Sequence, residues 1–215
     1  MVRTIGTLAA RALLLACALQ AEEGFRPLYN GHDLSEWIVV TPSVWTIKDG
    51  TIIGKTDGLN YHEYLRTRRH YANFVLKLRM RLVAGRGNSG VQFRSRPARD
   101  PHNVEGYQAD AGVQARDPKI LWGALYCEAR HKMLALPPQN FLAAVNLDAW
   151  HDYTITADGD HIVLEVDGVR TVDYVEKDPA VDRTGFIALQ VHGSKEPLEV
   201  HFKDLRIKVL EPRAR

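Results

Sequence analysis

At 215 residues the chain is long enough for one good-sized core, and 28 Lys and Arg against 26 Asp and Glu leave a formal net charge of only +2. That balance lacks the broad basic footprint of a nucleic-acid binder. Two cysteines with no CxxC pair, no HExxH and no GxGxxG opening a helix argue against the usual zinc motifs and a dinucleotide cofactor.

The chain opens with MVRTIGTLAARALLLACALQA, in which Arg3 and Arg11 precede a short apolar run from Leu13 to Leu19. Such a run is too short to span a bilayer and reads as a secretory leader over residues 1–21. Ala16 and Ala18 offer an A-x-A cleavage site, and cutting after Ala21 is the looser alternative. Leu14-Leu15-Ala16-Cys17 also resembles a lipoprotein box, which would make Cys17 a lipid anchor and the one link to a membrane. The expected location is therefore periplasmic or extracellular. Without Arg3 and Arg11 the remaining 26 basic residues balance 26 acidic ones, so the mature domain, assigned to residues 24–211 with a tail at 212–215, is near neutral. Its only thiol is Cys127, which cannot form an internal disulfide.

Nearly every later segment predicts a strand. VWTIKDGTIIGK has two β-rich runs around Asp49-Gly50, a hairpin signal. RTRRH, from Arg66 to His70, reads as a solvated basic loop. NFVLKLRMRLV puts Phe74, Leu76, Leu78 and Met80 on one side and Lys77, Arg79 and Arg81 on the other, the period of a half-buried strand. GNSGVQFRS, GYQAD and WGALYCE follow. Weak helical periodicity from Arg130 to Leu136 is stopped by Pro137-Pro138. DYTITADGDHIVLEVDGVRTVDYV, with turns at Asp158-Gly159 and Asp167-Gly168, then GFIALQVHG and LEVHFKDLRIKVL complete the series. Many short strands and no repeat predict an all-β fold, an antiparallel two-sheet jelly-roll sandwich in a single domain.

Alternation also assigns faces. Gln92 and Arg94 lie opposite Val91 and Phe93, and Gln108 shares a side with Asp110. Trp122, Ala124, Tyr126 and Glu128 share another, opposite Gly123, Leu125 and Cys127. Phe186, Ala188, Gln190 and His192 lie opposite Ile187, Leu189 and Val191. Solvated faces often alternate in this way. These, however, carry amides, carboxylates, an Arg, a His and aromatic rings, which suit a polyhydroxylated ligand.

The segments FRPLYNGHDLSEW, VWTIKDGTIIGK, NSGVQFRS, GYQAD, WGALYCEAR, WHDYTITADGDHIVLEVDGV, GFIALQVHGS and VHFKDLRIKVL carry a resemblance. In order and number they resemble the bacterial 3-keto-disaccharide hydrolase family, also described as 3-keto-glucoside 1,2-lyase and 3-keto-2-hydroxyglucal hydratase, over roughly Phe25 to Leu210. The resemblance implies a concanavalin A-like jelly roll with a ligand site on the concave sheet. It implies a 3-keto-glucoside substrate, made by a separate NAD-dependent sugar 3-dehydrogenase. Two departures stand out: the loop AGVQARDPKI is longer than in relatives, and Cys127 stands where many relatives have Asp.

The implied chemistry needs a base at C2, an electrophile at the C3 oxygen and a proton donor at the leaving oxygen. The candidate catalytic residues are Glu128 or His192 as base, Asp110 as orienting group or acid, and Arg94 as enolate stabiliser. Gln92, Gln108 and Gln190 would hold hydroxyls, with Tyr126 beside them and Trp122 as a stacking platform. The sequence identifies no cofactor, but Asp110, Glu128 and His192 are the donor types for a divalent metal that could take the place of Arg94. Asp110 and Glu128 would also serve a conventional two-carboxylate glycosidase. The alternative function is a non-catalytic, lectin-like carbohydrate-binding module, which needs only the amides and an aromatic ring.

Overall fold

The computed structural model describes residues 22–113 and 119–211. The leader expected at 1–21, with Cys17, and the tail at 212–215 lie outside the described residues, as does part of the loop before Trp122.

Two of the three hairpin signals hold; in the third, Asp158 ends its strand opposite His161, so the turn is Gly159-Asp160 rather than Asp158-Gly159. β3 (Trp45–Lys48) and β4 (Thr51–Thr56) are joined by Asp49 and Gly50 at φ 49° and 72°. Both turn residues are left-handed, as a two-residue hairpin matched to strand twist requires. β11 (His151–Asp158), β12 (His161–Val166) and β13 (Val169–Val175) form a meander whose second turn, Asp167-Gly168, has φ 51° and 76°. β6 (Phe74–Leu82) alternates buried and half-buried along its whole length. Each large apolar side chain it turns inward contributes about 1.5–3 kcal/mol of burial.

With β1 (Arg26–Pro27) and β15 (Leu198–Val209), these strands form the first sheet, in the order β13-β12-β11-β6-β15-β4-β3, with β1 paired to β15. The second sheet contains β2 (Trp37–Ile38), β5 (Glu63–Thr67), β7 (Asn88–Pro97), β8 (Val104–Gly112), β9 (Leu125–Cys127), β10 (Lys132–Ala135) and β14 (Phe186–Val191). Its order is β10-β9-β8-β7-β14-β5-β2, and every named pairing is antiparallel. Apolar residues from the inner faces of both sheets, Leu76, Met80, Ile155 and Phe202 against Val91, Phe93, Leu125 and Leu189 among them, form one core. The expected two-sheet jelly roll is the fold.

Two local expectations fail. Residues 132–135 form β10 rather than a helix, because they extend the second sheet beside β9. The short helix instead follows the proline pair, over Gln139–Ala144, where Pro138 needs no donor at the first turn. Nor is RTRRH wholly a solvated loop. Arg66 and Thr67 end β5 and are buried, whereas Arg68, Arg69 and His70 are exposed.

Candidate functional site

The second sheet's outward face carries the polar residues in two adjacent rows. Across β5, β14, β7 and β8, Tyr64 pairs with Gln190, and Gly90 with Asp110; one step along, Ala188 pairs with Gln92, Gln92 with Gln108, and Gln108 with Tyr126 of β9. These side chains point away from the core, yet Gln92, Gln108, Asp110, Gln190 and Tyr64 are all buried. A buried polar group must find partners, and these find one another.

Gln190 Nε2 donates to the Tyr64 hydroxyl at 3.1 Å, and Gln108 Nε2 donates to Gln190 Oε1 at 3.2 Å and also to Asp110 Oδ1. Gln92 Nε2 donates to Gln108 Oε1 and, at 3.2 Å, to Glu128 Oε1. The amides thus link the two carboxyl groups, with Asp110 at the buried end and Glu128 at the half-buried end. Gly90 makes room for the chain: a Cβ there would lie 2.8 Å from Gln108 Nε2 and 2.7 Å from the Ala109 carbonyl. From the opposite sheet, the Tyr153 hydroxyl donates to the Asp110 carbonyl at 2.8 Å and accepts from the Gly123 N–H at 3.1 Å, fixing the Asp110 backbone through the core.

Electrostatics separate the two acids from ordinary carboxylates. Burial pushes Asp110 well above its usual range; the Gln108 amide opposes this and the Glu128 charge adds to it. Burial also raises Glu128, against the Gln92 hydrogen bond. Tyr64 is raised by burial and by Glu128, so it keeps its proton. Two interacting carboxyls in a buried polar cluster, one deep and one half-buried and both held above their ordinary range, are suited to acid–base chemistry.

The structure gathers Gln92, Gln108, Asp110, Tyr126, Glu128 and Gln190. His192 lies one residue past β14, packed edge-on against His62 with ring centroids 4.4 Å apart. Burial lowers the basicity of both rings, and His62 falls to about 4. His62 Nδ1 accepts the Gly193 N–H at 3.0 Å, so its proton sits on Nε2. Among the described residues no three His, Cys, Asp or Glu side chains group as a metal-ligand set, Asp110, Glu128 and His192 included.

Two assignments need correction. Arg94 does not join the cluster. The register shifts between Phe93 and Arg96, Arg94 takes φ 47°, and its guanidinium donates to the carbonyls of Ala72 and Gly159, each at 2.7 Å, and to Asn73 Oδ1 at 3.2 Å. A bulge here breaks the period-two rule, so Arg94 braces the β11–β12 turn instead. Trp122 is fully buried in the core, 4.3 Å from His151 and 6.0 Å from Tyr153 by ring centroids. β9 begins only at Leu125, after a turn with Gly123 at φ 78°, so alternation does not reach back to Trp122. Arg130 pairs with Glu176 through two bonds of 3.1 and 2.5 Å. Sequence reasoning also missed Tyr64, His62 and Tyr153. The alternation of Tyr64 and Arg66 around Leu65 was the available signal for the first.

Over residues 24–208 the sequence matches the family described as the 3-keto-alpha-glucoside-1,2-lyase-like domain. The chain belongs to that family. No curated protein matches it in sequence. Among solved structures, a candidate glycosyl hydrolase from Parabacteroides distasonis ATCC 8503 is similar at TM-score 0.67 and 20% identity, covering 88% of this chain and 95% of that one. The carbohydrate-binding module CBM66 of Bacillus subtilis is similar at TM-score 0.58 and 16% identity, with coverage of 80% and 94%. The β-glucanase of Bacillus licheniformis is similar at TM-score 0.55 and 12% identity, with coverage of 87% and 97%. At these identities the likeness is one of fold, and it is the concanavalin A-like fold that the family implied.

Proposed function

We propose that this family member is an exported carbohydrate-active enzyme that cleaves 3-keto-glycosides by elimination followed by hydration. Glu128, the half-buried carboxylate, takes the proton from C2, which the C3 ketone acidifies. The C2–H electron pair forms the enolate, whose oxygen receives the Tyr64 hydroxyl proton as a hydrogen bond. The C1–O bond then breaks as C1=C2 forms and the C3 carbonyl returns, and the aglycone oxygen leaves with the proton that Glu128 took from C2, while the deeper Asp110 holds the Gln108 amide in place. Water adds across C1=C2, with hydroxyl at C1 and hydrogen at C2, so the net result is hydrolysis. A separate NAD-dependent sugar 3-dehydrogenase would supply the 3-keto substrate.

The observation that supports this reading is the Asp110–Gln108–Gln92–Glu128 chain, which couples two carboxyls both held above their ordinary range. One observation favours a second reading. Arg94, the cation expected to face the enolate, is bound to backbone carbonyls elsewhere, and the remaining amides and tyrosines suffice for a sugar-binding module.

Incubating the protein with a 3-keto-glucoside, with and without chelator, separates the two. Appearance of 2-hydroxyglucal and 3-ketoglucose, with Glu128→Gln at least 100-fold slower and still folded, is the expected result. Chelator sensitivity would add a divalent metal to the reaction. Saturable binding with no product would sink the enzyme reading and leave the binding module.

A further inference from the structure

A groove of about 1040 Å³ crosses the outward face of the first sheet, the sheet that does not carry Glu128 and Asp110. Strands β11, β6 and β15 form its floor, and Phe25 and Tyr29 of the N-terminal segment form its wall. Its volume is at the upper end of small-ligand clefts.

Two features distinguish it from an ordinary solvated sheet. First, β6 and β15 set cations directly opposite one another: Lys77 faces Arg206 and Arg79 faces Lys203. Like charges so paired weaken a sheet unless a counter-charge answers them. Glu22 partly does so, 2.5 Å from Lys77 and 3.6 Å from Arg206, and Asp152 lies 3.1 Å from Arg79. Lys203 rests instead on the Trp150 ring, 4.3 Å from its centroid. Second, among the described residues three buried donor atoms of the lining make no hydrogen bond; Arg79 Nε has Asp152 3.1 Å away, which leaves the hydroxyl of Tyr29, a residue only 8% exposed, and the Nε–H of Arg206. Leaving such a group unpaired is costly, and what both lack is an acceptor.

We propose that this groove is a second saccharide site, and that its ligand is a uronate-bearing sugar. The lining carries four cations, Arg26, Lys77, Arg79 and Arg206, against three carboxylates, Glu22, Asp152 and Asp204. The surplus matches one sugar carboxylate. The interleaved acceptors suit hydroxyls and repel a densely charged polyanion such as nucleic acid. Tyr29 and Arg206 donate to the uronate oxygens. Phe25, with Lys77 Nζ 4.9 Å and Arg206 Cζ 6.0 Å from its centroid, adds the apolar wall for a sugar's C–H face. The site stands apart from the reading of Glu128 and Asp110.

Calorimetric titration with a galacturonate trimer, a glucose trimer, a sulfated glucose trimer and a short oligonucleotide tests it. The galacturonate trimer is expected to bind at least fivefold tighter than the other three, and more weakly as salt rises. Arg206→Met and Tyr29→Phe should each weaken it at least fivefold, while Glu128→Gln leaves it unchanged. Tyr29→Phe removes one unpaired hydroxyl and should keep the fold, so it decides the matter if Arg206→Met does not fold. Equal binding of the glucose trimer, tighter binding of the sulfated trimer or oligonucleotide, or undiminished affinity in Tyr29→Phe would overturn the proposal.

Discussion

His62 shows how burial converts a single residue into a pH-dependent stability contribution. Desolvation, reinforced by the neighbouring His192 and opposed by Asp100, lowers it from 6.5 to about 4. An unfolded chain takes up that proton near pH 6.5, whereas the folded one resists until about 4. Stability from this residue is therefore present above pH 6.5 and falls as the pH drops toward 4. The full shift would correspond to about 3 kcal/mol, and partial solvent access reduces this to about 1–2 kcal/mol. Urea melts of His62→Gln at pH 7 and pH 4.5 should differ by less than those of the parent, by about that amount. Asp110 and Glu128 act in the opposite sense. Their raised values mean that the folded state holds protons longer, so their contribution weakens as the pH rises above the ordinary carboxylate range.

Among the strands, β7 shows best what alternation can and cannot say. From Val91 to Phe93 the period holds, and Gln92 lands where it was expected, beside Gln108. Two residues of the same strand depart from a simple reading. Gly90 matters because it lacks a side chain, and Arg94 turns away because the strand bulges. Gly90→Ala would force a Cβ to within 2.8 Å of Gln108 Nε2 and 2.9 Å of its Cγ. The expected cost is about 1–3 kcal/mol of stability, together with at least a tenfold loss of sugar binding or turnover at the Glu128 site. A thermal melt beside a binding or product assay reads both. Melting lowered with function intact would show that the Gln108 position is not needed. The bulge at Arg94 has no local sequence signature, since arginine is no usual choice for φ 47°, so it was not legible. β5 was missed for a related reason: its end runs into the basic cluster RTRRH, which masks the strand.

At the scale of the whole molecule, one ion pair joins the edges of the two sheets. Glu176 follows β13 in the first sheet, and Arg130 follows β9 in the second. Tyr107 of β8 adds a 2.9 Å hydrogen bond to the same carboxylate. Burial alone would raise Glu176, but Arg130, the Asp178 N–H and Tyr107 together bring it down to about 2. The stability it contributes is present above about pH 4.5 and is lost as the pH falls toward 2. Arg130→Met strands a carboxylate whose side chain is 1% exposed, and should cost about 3 kcal/mol in a denaturant melt at pH 7. A loss under 1 kcal/mol would show that the sheets are held without this tie.

The sequence alone determined the fold class, the hairpins at Asp49-Gly50 and Asp167-Gly168, the buried face of β6, and a shared side for Gln108 and Asp110. Those properties follow from local rules, the two-residue period of a strand and the few residues that tolerate a left-handed turn. Tertiary structure alone decided which strands lie side by side, and so that Glu128 meets Gln92 while Arg94 and Trp122 do not face the cluster. It also decided that cations meet across β6 and β15. Those outcomes depend on register, bulges and burial between segments far apart in the chain, which no local period encodes.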